Sequence, residues 1–203
     1  MTLRSRWFAL TGVAFVVVAF LGLSAVGMTP AIEDSTASEI LEHWTAVANG
    51  ELSSAMLVLC VPLLLIFGGV TIARHHGSSP FSFSVWSFLF GVGLAVAAVG
   101  FIAEAAGVAA ITDTANSGFS DMVVDQYVGG RRLHMIWAVG LSIALLGAAG
   151  MFIPRSGIER VLGVLALAGG IVGLVPEPIG TLGVLVAVLW VLATSIVIVV
   201  RPQ

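Results

Sequence analysis

The chain has 203 residues, 59% of them apolar and only 9% charged, with a mean hydropathy of +1.11 and a net charge of −3. A soluble domain carries about a quarter charged residues to cover its surface, so this composition excludes a water-soluble fold and requires lipid as part of the solvent. All eight cationic side chains are arginine and Cys60 is the single cysteine, which excludes lysine Schiff-base chemistry, an intrachain disulfide and cysteine-based metal sites.

A helix crosses the hydrocarbon core with about 20 predominantly apolar residues. Six segments meet or approach that length: 7–26, 53–72, 85–111, 133–153, 158–175 and 179–200. They predict an all-α fold, a single transmembrane domain over 1–203 with six spanning helices. The first segment follows Arg4 and Arg6 and is longer than a signal-peptide core, so it reads as a retained helix. The fifth is the weakest, because its uninterrupted apolar run of 161–175 is short and reaches a spanning length only through Glu159 and Arg160.

Between the first two segments, Thr36, Ala37, Ser38 and Glu39 form a capping box: a threonine hydroxyl takes one free N–H of a helix start, and a glutamate three residues on reaches back. Asn49 and Gly50 read as the stop signal. A short amphipathic helix over 36–48 is therefore expected, with Ile40, Leu41 and Trp44 as its apolar stripe. The stretch 112–130 is rich in Gly, Ser, Asp and Asn and ends in Gly129-Gly130, so it reads as a second loop on the same side.

Orientation follows from the arginines. With the N-terminus in the cytoplasm, Arg4, Arg6, Arg74, Arg155, Arg160 and Arg201 fall inside with Glu159 as the one inner acid, and only Arg131 and Arg132 fall outside. Basic residues concentrate on the cytoplasmic side of short loops, so both termini are expected there, in a multi-pass bacterial inner membrane protein. Trp7 and Trp86 then sit at the inner boundary, and Trp44, Tyr127 and Trp137 at the outer one, where an aromatic belt belongs. His75 and His76, after Arg74, read as part of an interfacial basic anchor.

The spanning segments hold mostly hydroxyls, such as Thr71, Ser87, Ser142, Thr194 and Ser195, which usually bond their own backbone. Glu104 is the exception. An intramembrane carboxylate is a functional candidate by default, and Arg131 and Arg132, at the outer start of the fourth segment, are its expected partners in an ion pair locking the third and fourth helices. His43 and His134 lie on the same side. Together with Glu104, Asp113, Asp121 and Asp125 they could compose an outer polar pocket, but no ligand spacing points to a metal and no second intramembrane histidine suits a haem. No cofactor, metal or nucleic-acid partner is expected. The small-residue pairs Gly169/Gly173, Ala166/Gly170 and Gly93/Ala97 let helices approach closely, within the bundle or against a protein partner or second copy.

The run Ser38-Glu39-Ile40-Leu41 through Ala46, the apolar stretch 57–72 and the closing pair 158–174 and 182–200 come in an order similar to that of an uncharacterised family of small six-helix bacterial integral membrane proteins. The resemblance implies an architecture and brings no activity with it; Arg131, Arg132 and His134 match no residue of its pattern. Three functions stay open: a non-enzymatic accessory or scaffold component docking on membrane partners or lipids, which the bare interior favours; binding or transport of a hydrophobic small molecule through an outer-rim pocket near Glu104; and an enzyme acting on a lipid-like substrate with Glu104 or His134 as acid or base.

Overall fold

The structure, a computed structural model, describes residues 7–26, 36–47, 50–76, 84–118, 120–175 and 179–200, with the side chains of 76, 120, 121, 128–135 and 179 outside the description. The described residues are all-helical: α1 (Thr11–Val26), α2 (Ala37–Ala46), α3 (Gly50–His76), α4 (Val85–Asn116), α5 (Ser120–Phe152), α6 (Ile158–Gly173) and α7 (Ile179–Val200). Gly50–His75, Val85–Asn116 and Gly180–Val200 are long and apolar enough to cross a membrane, while Thr11–Val26 and the Ile136–Phe152 stretch of α5 are shorter apolar segments.

Six of the helices form a closed ring in chain order, α1–α3–α4–α5–α6–α7, with α7 returning to α1 and α2 lying across α4 and α5 at one end. The most extensive interface is α4 against α5, and glycine is the reason. Gly93 of α4 lies on the backbone of Ala144, and Gly100 on that of Trp137; Gly140 of α5 lies on Ala97, and Gly147 on Phe90. Each helix thus places a glycine every seven residues on one seam, and the two backbones touch where any side chain would separate them. The ring closes in the same way, with Gly12 of α1 against Ser195 and Phe67, and Gly173 of α6 against Gly183 of α7. The small-residue faces that contain Gly93, Gly169, Gly170 and Gly173 are therefore packed within the chain.

Aromatic rings fill the centre. Trp190 meets Phe67, Phe90 and Phe152 edge-on, with ring centroids 6.2, 6.1 and 5.7 Å apart, and its indole N–H donates to the Leu162 carbonyl at 3.0 Å. That bond satisfies the polar atom the buried indole carries. The void left among Leu64, Phe67, Leu94, Leu141 and Trp190 measures about 10 Å³, near the limit for one water molecule.

Two features depart from the expected outline. The third segment does not stop at 111, and 112–130 is not a loop: α4 runs to Asn116, a tight turn passes through Gly118 at φ +80°, and α5 begins at Ser120, so Gly129 and Gly130 are helical. Ile111, Thr112, Ala115, Val123 and Tyr127 are buried, so the inward-facing pattern continues through a polar-looking stretch. The fourth segment starts accordingly at 120 and not at 133. Gly50, expected to end the amphipathic helix, instead opens α3, where the lack of a side chain lets it sit on Thr112; α2 ends at Ala46, with Val47 as its C-cap.

The capping box is formed as expected. The Thr36 hydroxyl accepts from the Glu39 N–H at 3.3 Å, and the Glu39 carboxylate accepts from the Thr36 N–H at 2.6 Å. The Thr36 N–H, together with the Thr36 hydroxyl donating to the same carboxylate oxygen at 2.9 Å, holds the Glu39 carboxyl below its ordinary pKa. Thr36→Ala is expected to cost about 0.5–2 kcal/mol of α2 stability. Hydrogen exchange across residues 37–46 measures it: faster exchange in α2, with α4 and α7 unchanged, is the expected result.

Candidate functional site

Polar side chains gather at the two ends of the bundle. At the α2 end, α4 and α5 project beyond the other helices, and α2 leans on the projection. Ile40 and Trp44 are buried; the Trp44 ring meets Tyr127 at 5.9 Å and His43 at 5.5 Å, both edge-on. Trp44, Tyr127 and Trp137, expected to face the interface, are instead turned inward, and Trp137 stacks on Phe101 at 5.3 Å. Three buried polar atoms at this end, Nε2 of His43, Nε1 of Trp44 and Oε1 of Gln126, have no hydrogen-bond partner among the described residues. Burial pushes the His43 imidazole below its ordinary pKa, because the charged form loses its hydration.

Glu104 is half-buried on α4. Ser54 of α3 donates to the carbonyl of its neighbour Ala105 at 2.9 Å, and Ser53 donates to the Gly22 carbonyl of α1 at 2.6 Å. Glu104 therefore stands about one turn inside the level where α1 ends and α3 begins, close to the rim of the ring. Its level on α5 follows from the antiparallel seam. Successive contacts pair Phe90 with Gly147, Gly93 with Ala144, Ala97 with Gly140 and Gly100 with Trp137; the next turn pairs Glu104 with Leu133. The backbones of Arg131, Arg132 and His134 thus lie at its level on the adjacent helix, while their side chains, and hence the expected ion pair with Glu104, lie outside the described residues. Of the wider acidic pocket, Asp113 and Asp125 are exposed on the projecting hairpin, and the side chains of Asp121 and His134 lie outside the described residues.

At the opposite end the structure contains a network that the sequence pattern did not single out. Arg74, at the end of α3, is buried and donates from Nη2 to Glu159 Oε1 at 3.1 Å and from Nη1 to the Ile198 carbonyl of α7 at 3.4 Å. The other Glu159 oxygen accepts from Arg155 Nη1 at 3.2 Å, and Arg155 Nη2 donates to the His75 carbonyl at 2.9 Å. Arg160 Nε donates to the Ile153 and Arg155 carbonyls at 3.3 and 3.0 Å. Cations thus meet the C-terminal carbonyls of α3, α5 and α7, where the helix dipoles favour them. The arginine count sets Glu159 as the lone acid on the side expected to carry six of the eight arginines, without giving it a partner.

Compared with known proteins, the chain matches no family model, no curated protein and no solved structure. The likeness to small six-helix membrane proteins rests on the order of features alone. What the fold defines is a class: an all-helical protein with helices long and apolar enough to cross a membrane.

Proposed function

We propose that this chain is a six-span inner membrane protein with both termini in the cytoplasm, and that it serves as a non-enzymatic accessory or scaffold component docking on a membrane partner. The observation that carries this reading is the outward face of α4. Its small positions begin at Ala95, and Ala95, Ala106, Ala109 and Ala110 are exposed beside Val99 and Ile102, whereas its start presents Val85, Trp86, Phe88 and Val92 and α7 presents Leu182, Leu185, Leu189 and Ile196. Lipid alone is met well by bulky side chains; small ones let a second helix approach. The small void at Trp190 supports the same reading among the described residues, because the perimeter is then the surface they offer to other molecules.

Native mass spectrometry of the full 20.9 kDa chain, extracted with its surrounding lipid, tests the role. The expected result is a complex of fixed stoichiometry that Ala106→Trp disrupts. A monomer carrying only lipids, unchanged by Ala106→Trp, speaks against it. The six spans and their sidedness are tested separately by labelling intact cells with an impermeant thiol reagent. Ser117→Cys is expected to react and Ser79→Cys to stay silent, against a background kept low because Cys60 is buried. The reverse pattern overturns the orientation.

A second reading, binding of a hydrophobic small molecule at the outer rim, is favoured by the unpaired atoms of His43, Trp44 and Gln126. A buried polar atom left without a partner costs about 1–3 kcal/mol, and a ligand hydroxyl or carbonyl would relieve that cost. Glu104, Arg131, Arg132 and His134 stand beside this region by register, and pairing of Glu104 with either arginine would fix its wall.

A further inference from the structure

We propose that the arginine end of α6 holds an anionic phospholipid, its phosphate on Arg160 and an acyl chain along the stripe below it. Arg160 is exposed, and its Nε is fixed by the Ile153 and Arg155 carbonyls; its two Nη groups make no hydrogen bond to the described residues. A guanidinium anchored at one edge presents its remaining N–H donors as a preformed fork for phosphate oxygens. Continuing along the same face of α6, at spacings of four, three and four, come Val164, Leu167 and Ile171, all exposed and apolar. The charged head and the apolar lane are thus collinear, as the parts of a phospholipid are.

The local charge favours an anion. Arg74, Arg155 and Arg160 share this end with Glu159, and both Glu159 oxygens are turned to Arg74 and Arg155, so Arg160 keeps its charge for an outside partner. Helix length adds to this. The 16 residues of α6 extend about 24 Å, less than the roughly 30 Å hydrocarbon core, so the headgroup layer is drawn toward Arg160. This inference rests on α6 crossing the membrane, and its test does not depend on which side the arginines face.

The test uses the full chain in neutral detergent, titrated with dioleoylphosphatidylglycerol or dioleoylphosphatidylcholine and read by native mass spectrometry. The wild type is expected to retain phosphatidylglycerol about fivefold better, the preference one arginine near a membrane surface supplies. Arg160→Gln should bring the ratio close to one, and Arg160→Lys should keep most of it. Equal retention of the two lipids by the wild type, or a preference that survives in Arg160→Gln, overturns the proposal. So does displacement of phosphatidylglycerol by millimolar inorganic phosphate, which would make this a site for a free anion. Should Arg160→Gln fail to fold, the wild-type lipid ratio and Arg160→Lys still decide. Thiol labelling that contradicts the six spans would remove the footing of α6 without touching the lipid ratio, so the two failures are distinguishable.

Discussion

Gly140→Ala is expected to lower the stability of the protein by about 2–3 kcal/mol, at the upper end of the usual cost of overpacking, and Gly140→Leu to leave no folded protein to purify. In most helices the first change would help, since alanine exceeds glycine in helix propensity by up to about 1 kcal/mol. Here a Cβ on residue 140 would lie inside the backbone of Ala97 and Val96. Backbone cannot rotate away as a side chain can, so α4 and α5 must separate along the seam, and the neighbouring contacts of Gly93, Gly100 and Gly147 loosen with it. Gly107→Ala is the control: it sits on the same α4 helix, and a Cβ there meets nothing within 4 Å. Melting curves in one detergent decide. A similar midpoint for Gly140→Ala and Gly107→Ala would show that the close approach at Ala97 does not limit stability.

That contrast also shows where sequence reasoning stops. Apolar run lengths placed α7 at 179–200, and the Thr36 to Glu39 spacing placed α2, because each depends on residues adjacent in the chain. The inward turn of Gly93 and Gly140 and the outward turn of Gly107 depend on which helices are neighbours, which a single sequence does not encode locally. The stretch 112–130 misled for a related reason. Asp113, Asn116, Ser117 and Asp125 are exposed on a helical hairpin whose buried positions, Ile111, Ala115, Val123 and Tyr127, carry the helical period, and composition averages the two faces together. Glu104 stood out because it interrupts an apolar run. Glu159 did not, because it lies among arginines at a segment end, where an acid ordinarily meets water.

Glu159→Gln is expected to cost about 3 kcal/mol, the lower end of what breaking a buried ion pair from one side costs. The carboxylate side chain is 15% exposed and its partner Arg74 only 5%, so water screens the pair poorly and cannot replace the lost charge. Glutamine keeps an acceptor for one arginine but removes the negative charge that Arg74 and Arg155 share, and Arg74 cannot deprotonate to escape. Exchanging both partners for apolar residues of similar length, Arg74→Met with Glu159→Met, is expected to recover most of the loss, because the buried charge goes with its counterion. Arg155, with its side chain 26% exposed, keeps its bond to the His75 carbonyl and tolerates the change. The network joins the ends of α3, α6 and α7, so the single variant should loosen all three, read as faster hydrogen exchange at residues 70–75, 158–162 and 195–200. Loss under about 1 kcal/mol in Glu159→Gln, or a double variant no more stable than the single, would mean that water rather than Glu159 balances Arg74.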